Sequence, residues 1–364
     1  MKLNLKYLKG FIGYKLFDGK ALPPSSISFN LTSKCNLKCE MCWQYRDGGI
    51  FKKESPLLLE GEMEFQDLKK VVDDISGSLK NITLWGGEPM LHPDFAQFTG
   101  YIKEKEKYLN IITNGSLLKR FAKSLVEMKV NNIVVSIDGP QEIHDEIRGV
   151  KGSYQRTIEG IETIKDFKYN YSENLPRIEI NFTISDLNFD RVADTVKILQ
   201  GLNINSITIS HLWFADKDMY EKNEKIFKDE LKTSSPYFHA FIRETSGVNL
   251  KILTSEIAKV KETRWKIPII FLPDLDNKEI FQYYSNPGNS FRFIYCLVPW
   301  RTACVLPNGD LTPCGDRPDF IVGNLRKERF SQLWNNEKFR SYRRALKGHK
   351  LFPMCKRCCE LFLQ

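Results

Sequence analysis

Between residues 25 and 210, short apolar runs rich in β-branched residues alternate with longer stretches in which apolar residues return every three or four positions. The runs Ile27 to Leu31, Asn81 to Trp85, Asn110 to Thr113, Asn132 to Ile137, Arg177 to Ile184 and Ser206 to Ser210 read as strands. Between them Phe65, Leu68, Val72 and Ile75, and later Tyr154, Ile158, Ile161 and Phe167, fall near the helical period, so each stretch has one apolar face to lay on a sheet. Such alternation predicts six βα units and a parallel sheet, because parallel neighbours need a crossover long enough to hold a helix. From about 211 to 290 the alternation fades into Lys- and Glu-rich helical sequence, followed by a Pro-flanked stretch from Ile267 to Pro273 to which no chemistry attaches. After Pro287-Gly288, turn signals and cysteines dominate. The expected organisation is an extension over 1–24, an α/β unit over 25–215, a helical connection over 216–289 and a cysteine-rich domain over 290–364.

With 364 residues and 42% hydrophobic content the chain can bury a full core. Its formal charge of +9 comes from 54 basic and 45 acidic residues spread along the chain. That pattern is a solvated surface, and without a basic and aromatic stripe a nucleic-acid partner is not expected. No stretch approaches the roughly 18 apolar residues of a membrane span, and the first residues lack a signal-peptide core, so a cytoplasmic location is expected. Nine cysteines in a reducing compartment are not expected to form disulfides; they fall in two groups more than 250 residues apart and read as metal ligands.

The first group, Cys35, Cys39 and Cys42, forms a Cys-x3-Cys-x2-Cys loop directly after the first strand. Three thiolates hold three corners of a cubane [4Fe–4S] cluster and leave one iron open to a ligand with an amine and a carboxylate. Zinc is the alternative, although it normally wants four closed ligands, and a plain electron-transfer cluster is another.

The loop, together with Leu84-Trp85-Gly86-Gly87-Glu88-Pro89 and Ser136-Ile137-Asp138-Gly139, resembles the radical S-adenosylmethionine superfamily over residues 25 to 210. The resemblance implies a partial (β/α)6 barrel of the TIM type, with each motif at the C-terminal end of a strand, where barrel active sites are built. It implies S-adenosylmethionine as cofactor, cleaved by the first cluster. Gly86 and Gly87 then let the backbone approach the ligand, and Glu88 offers a carboxylate to the methionine ammonium. Asn114, in Thr113-Asn114-Gly115, can reach the ribose, although an Asn-Gly turn without a ligand is as common. By the same resemblance Ser136 faces the ribose or methionine portion, Asp138 shapes the substrate mouth, and Arg148 pairs with the methionine carboxylate through its planar fork. His144 is a structural hydrogen-bonder. One departure is Met41, where many members carry an aromatic residue; Trp43 follows instead.

The second group, Cys296, Cys304, Cys314, Cys355, Cys358 and Cys359, with the Pro307-Asn308-Gly309-Asp310 turn and Leu333-Trp334, resembles the SPASM extension in its shorter Twitch form. That implies a second, auxiliary [4Fe–4S] cluster. By similarity to the Twitch-bearing 2-deoxy-scyllo-inosamine dehydrogenase its ligands are Cys296, Cys314, Cys355 and Cys358, with Cys304 and Cys359 spare. A four-cysteine zinc knot is the alternative. The expected function is a radical oxidoreductase that makes a 5′-deoxyadenosyl radical and removes hydrogen from a small metabolite such as a sugar, cyclitol or lipid-type alcohol. The auxiliary cluster would accept the electron, and a flavodoxin or ferredoxin would supply reductant. A peptide or protein maturase is the enzymatic rival; such enzymes often place a leader-binding domain before the barrel, and here about 25 residues precede the first strand. A non-catalytic iron–sulfur or zinc-organised binding protein is the rival outside catalysis.

Overall fold

The computed structural model describes residues 5–50, 61–243, 247–291, 293–316 and 318–362. The first helix, α1 (Leu5–Leu16), leads into β1 (Ser26–Asn30), α2 (Phe65–Asp74), β2 (Asn81–Trp85), α3 (Phe95–Glu104), β3 (Tyr108–Thr113), α4 (Leu118–Glu127) and β4 (Asn132–Ser136). Then come α5 (Gln141–Arg148), α6 (Ser153–Asn170), β5 (Arg177–Ile184), α7 (Val192–Gln200) and β6 (Ser206–His211). All six predicted strands form, and they pair in parallel in sequence order.

The segment expected to be a helical connection holds more than helices. After α8 (Lys217–Leu231) and α9 (Leu250–Glu262) comes a further strand, β7 (Ile269–Leu272), parallel to β6, and then α10 (Asn277–Ser285). This strand lies inside the Pro-flanked stretch. It escaped the reading because it is four residues long and an edge strand, with Ile270 exposed, so it lacks the buried alternation of a central strand.

The last part adds β8 (Cys304–Val305), β9 (Asp310–Thr312), β10 (Gly323–Asn324), α11 (Phe330–Leu333), α12 (Glu337–His349) and α13 (Cys359–Phe362). Strand β8 pairs in parallel with β1, placing Cys304 opposite Ser28. The result is one 10-stranded sheet in the order β10-β9-β8-β1-β2-β3-β4-β5-β6-β7, open at both edges. The cysteine-rich region therefore extends the barrel sheet. It is also tied to the N-terminal extension: Trp334 Nε1 donates to the Leu22 carbonyl at 2.9 Å, and buried Arg343 donates to the Gly19 and Pro299 carbonyls.

Helices cover the sheet as the periodicity requires, with one shift. In α2 the buried apolar face is Leu68, Val71 and Val72. In α6 the buried face is Ser153, Thr157, Gly160, Ile161 and Ile164, whereas Tyr154, Ile158 and Phe167 flank it half-buried. The small residues win the inner face because α4 comes very close: a Cβ on Gly160 would lie 3.1 Å from the Lys119 nitrogen and closer still to Leu118 Cβ.

Candidate active site and auxiliary cluster cavity

The loop after β1 is pinned from two sides. Gly87 N–H donates to the Thr32 carbonyl and Glu88 N–H to the Lys34 carbonyl, each at 2.8 Å. On the other side Lys38 N–H donates to the Arg148 carbonyl and Glu40 N–H to the Ile147 carbonyl, which docks the end of α5 on the loop. Gly86 has φ +152°, and a Cβ there would lie 2.6 Å from the Thr32 carbonyl oxygen. The glycine pair thus lets the β2 loop pack backbone to backbone against the cysteine loop.

Within this frame Cys39 is buried and Cys35 and Cys42 are half-buried. Burial pushes the Cys35 thiol up to about 12 and Cys42 up to about 11, and it also raises Cys39 against the opposing Arg148 charge. Thiols in this setting stay protonated until a metal replaces the proton. Two donors point at the sulfurs: Arg148 Nη1 lies 3.6 Å from Cys39 Sγ, and Asn114 Nδ2 lies 4.0 Å from Cys35 Sγ. Donors converging on three clustered thiols fit a thiolate-ligated cluster, whose sulfur charge such donors stabilise.

The remaining predicted residues take these places. Glu88 is fully buried; its carboxylate accepts from the Met90 and Asn114 N–H groups and from the Thr113 hydroxyl, at 3.2, 2.8 and 2.8 Å. Burial raises its pKa to about 7 against those hydrogen bonds. It therefore ties the β2 loop to the β3 loop. Asn114 donates to Asn36 Oδ1 at 3.0 Å and accepts from Ser116, bracing the cysteine loop from the β3 end. Ser136 sits half-buried at the end of β4, in register with Asn181 of β5. Asp138 is fully buried; it accepts the Thr183 N–H at 3.0 Å and is ion-paired with Arg148. Burial alone would lower the Arg148 pKa, but Asp138 and Cys39 outweigh it and the net direction is up. The structure thus joins Asp138, Arg148 and Cys39 in one chain of contacts. His144 is buried and accepts the Asp138 N–H through Nδ1, with its pKa lowered to about 4 by burial and by Arg148.

Beside the cysteine loop, at the C-terminal ends of β5 and β6, lies a polar cavity lined by Glu40, Arg46, Ser185, Asp186, Arg243 and Tyr284 among others. Arg46 donates to the Ala240 and Ile242 carbonyls, and Arg243 donates to the Glu40 carbonyl at 2.9 Å. The sequence offered no signal for this pair, since neither arginine belongs to a motif.

A second, smaller cavity is lined by Cys296, Cys314, Cys355 and Cys358, together with Trp213, Asp316 and Glu360. Burial raises Cys314, and hydrogen bonding with Cys359 followed by burial raises Cys358. Cys304 lies instead in β8, buried against Ser28 and Trp85, as a small apolar side chain would. Among the described residues no three Cys, His, Asp or Glu side chains crowd tightly enough to grip one metal ion. Four thiols around one cavity could hold a [4Fe–4S] cluster.

The radical SAM superfamily model matches residues 29–176, and the SPASM iron–sulfur cluster-binding domain model matches residues 296–359. The chain carries a radical SAM domain and a C-terminal SPASM domain, and with these domains go a [4Fe–4S] cluster, S-adenosylmethionine and auxiliary iron–sulfur ligation. The Fe-coproporphyrin III synthase of Methanosarcina barkeri is 26% identical, over 88% of this chain and 78% of that protein. The antilisterial bacteriocin subtilosin biosynthesis protein AlbA of Bacillus subtilis is 23% identical, over 86% of this chain and 60% of that protein. In fold, the chain is similar to Streptococcus suis SuiB bound to S-adenosylmethionine, with a TM-score of 0.62 and 15% identity over 88% of this chain and 68% of that one.

Proposed function

We propose that the chain oxidises a small, carboxylate-bearing metabolite, with a tetrapyrrole as the favoured class. When bound, the cofactors supply an electron to S-adenosylmethionine and a 5′-deoxyadenosyl radical that takes one hydrogen atom from a substrate carbon. The auxiliary cluster, which Cys296, Cys314, Cys355 and Cys358 would hold, would accept the one electron that the substrate radical gives up, and a flavodoxin or ferredoxin would supply the reductant for the first cluster. The chain's own residues hold the cluster loop, exclude water and present the substrate. Nine free thiols suit a reducing compartment such as the cytoplasm, and among the described residues no helix is long and apolar enough to cross a membrane.

The observation that carries the substrate class is the Arg46 and Arg243 pair. Both guanidiniums are anchored on main-chain carbonyls, and among the described residues neither forms an ion pair. Arg243 is held down to about 10, first by burial and then by Arg46, with Asp186 and Glu40 of the same cavity acting in the opposite direction. An anionic substrate group entering this cavity would relieve both penalties. The similarity to Fe-coproporphyrin III synthase supports a porphyrin carboxylate in that role.

Titrating the anaerobically reconstituted protein with coproporphyrin III, followed by absorbance, tests this reading. Wild type should bind, and Arg243→Gln should bind about tenfold or more weakly, since a charge-assisted hydrogen bond contributes about 1.5–3 kcal/mol. Equal binding of the tetramethyl ester would refute the carboxylate role. The second reading, a peptide maturase, draws on the similarity to AlbA. It predicts no porphyrin binding and a mass change in an acidic peptide instead.

A further inference from the structure

Trp213 stands two residues beyond β6, and its ring forms part of the wall of the cavity that Cys296, Cys314, Cys355 and Cys358 line. The ring is held in place by other aromatics. Phe241 lies against it with centroids 4.0 Å apart at 31°, and Phe238 meets it edge-on at 6.4 Å. Phe241 in turn stacks on Trp43 at 5.5 Å, and Trp43 follows Cys42. One aromatic row therefore runs from the first cluster loop to the auxiliary cavity, with the Trp213 indole packed into it.

That N–H is shielded from solvent and, among the described residues, has no acceptor. Other indoles here do find one: Trp265 donates to the Val260 carbonyl and Trp334 to the Leu22 carbonyl. A buried donor left unsatisfied costs about 1–3 kcal/mol, and native proteins rarely leave one so. The acceptors that a filled cavity would bring to this wall are the sulfurs of the cluster and its thiolates.

We propose that Trp213 donates its indole N–H to a sulfur of the auxiliary cluster and thereby holds the reduction potential of that cluster up. The reduced cluster carries one more negative charge, so a fixed donor at sulfur stabilises it relative to the oxidised one. A raised potential makes the cluster a better acceptor for an electron leaving a substrate radical. The inference rests on the auxiliary cluster occupying this cavity, and the test separates the two.

Trp213→Phe keeps the ring and its stacking and removes only the donor. The measurement is an EPR-monitored redox titration of the full, anaerobically reconstituted chain. At the wild-type midpoint the variant's ratio of reduced to oxidised auxiliary cluster should be about tenfold lower, which is ~59 mV for a one-electron couple. Trp300→Phe is the control. It also removes a buried indole N–H without a partner, but one packed on Tyr14 and outside the cavity wall, so the midpoint should not move. An unchanged midpoint in fully loaded Trp213→Phe would overturn the proposal. Should that variant lose its cluster, wild type labelled with indole-15N tryptophan decides: the reduced auxiliary cluster should show a 15N hyperfine coupling, and its absence overturns the proposal. Wild type holding about four irons per chain, with no second cluster signal, would overturn the two-cluster reading and this inference together.

Discussion

Arg148→Ala probes the joint between the cluster loop and the barrel. The guanidinium is 12% exposed and the carboxylate of Asp138 is not exposed at all, so the pair is effectively desolvated. Removing the cation strands a buried carboxylate whose other described contact is the Thr183 N–H. Breaking such a pair from one side costs about 3–5 kcal/mol, far above the ~1 kcal/mol of a surface bridge. Anaerobic urea unfolding of the reduced apoprotein measures it as a fall in midpoint at constant slope. Asp138→Asn should be destabilising too, and the double variant should recover part of the loss, with a coupling of about 0.5–3 kcal/mol. Arg148→Lys keeps the charge but not the fork that reaches both Asp138 and Cys39, and it should restore only part of the stability. Because Arg148 also donates to Cys39 Sγ, the alanine variant should retain less iron after reconstitution. An Arg148→Ala midpoint within about 0.5 kcal/mol of wild type would refute this account. Unchanged stability with weakened S-adenosylmethionine binding by calorimetry would assign Arg148 to the methionine carboxylate instead.

Cys314→Ala should lower iron and sulfide from about eight to about four per chain. It should still form 5′-deoxyadenosine but yield little oxidised product, and full product yield would refute the electron-acceptor role. Gly160→Ala should destabilise by up to about 2 kcal/mol net, since overpacking against Leu118 of α4 costs about 1–3 kcal/mol and helix propensity returns ~1 kcal/mol; thermal unfolding reads the sign. His211 is buried against Tyr284 with its pKa lowered to about 3, first by burial and then by Lys261 and Arg357. As pH falls below about 6.5 the unfolded chain takes up a proton that the folded His211 refuses, so stability drops. His211→Gln should make the apoprotein's stability fall less steeply between pH 6.5 and 4, by about 1.4 kcal/mol per pH unit, and an unaltered slope in urea titrations would exclude this.

Much of the barrel was legible in the chain because strand and helix periods are local properties. The six runs from Ile27 to Ser210 all became strands, since each carries its own apolar pattern and its own turn. The cysteine loop could be picked out in the same way, because thiols three and four residues apart lie close together whatever surrounds them. The C-terminal cysteines could be grouped, but that Cys296, Cys314, Cys355 and Cys358 line one cavity while Cys304 enters a strand depends on how β8 docks beside β1.

Other features belong to the tertiary structure alone. Strand β7 is too short and too exposed to announce itself, and forms because β6 offers it an edge. Glu88 and Asp138 stood out in the motifs, but only the packing shows Glu88 accepting from Thr113 and Asn114 and Asp138 ion-paired with Arg148. Arg46 and Arg243 lie 197 positions apart and meet at one cavity, and Trp213 reaches the auxiliary site from the barrel side. Pattern along the chain determines which segments are regular and which thiols act together; distant side chains meet only where the path of the folded backbone brings them, and no local period encodes that path.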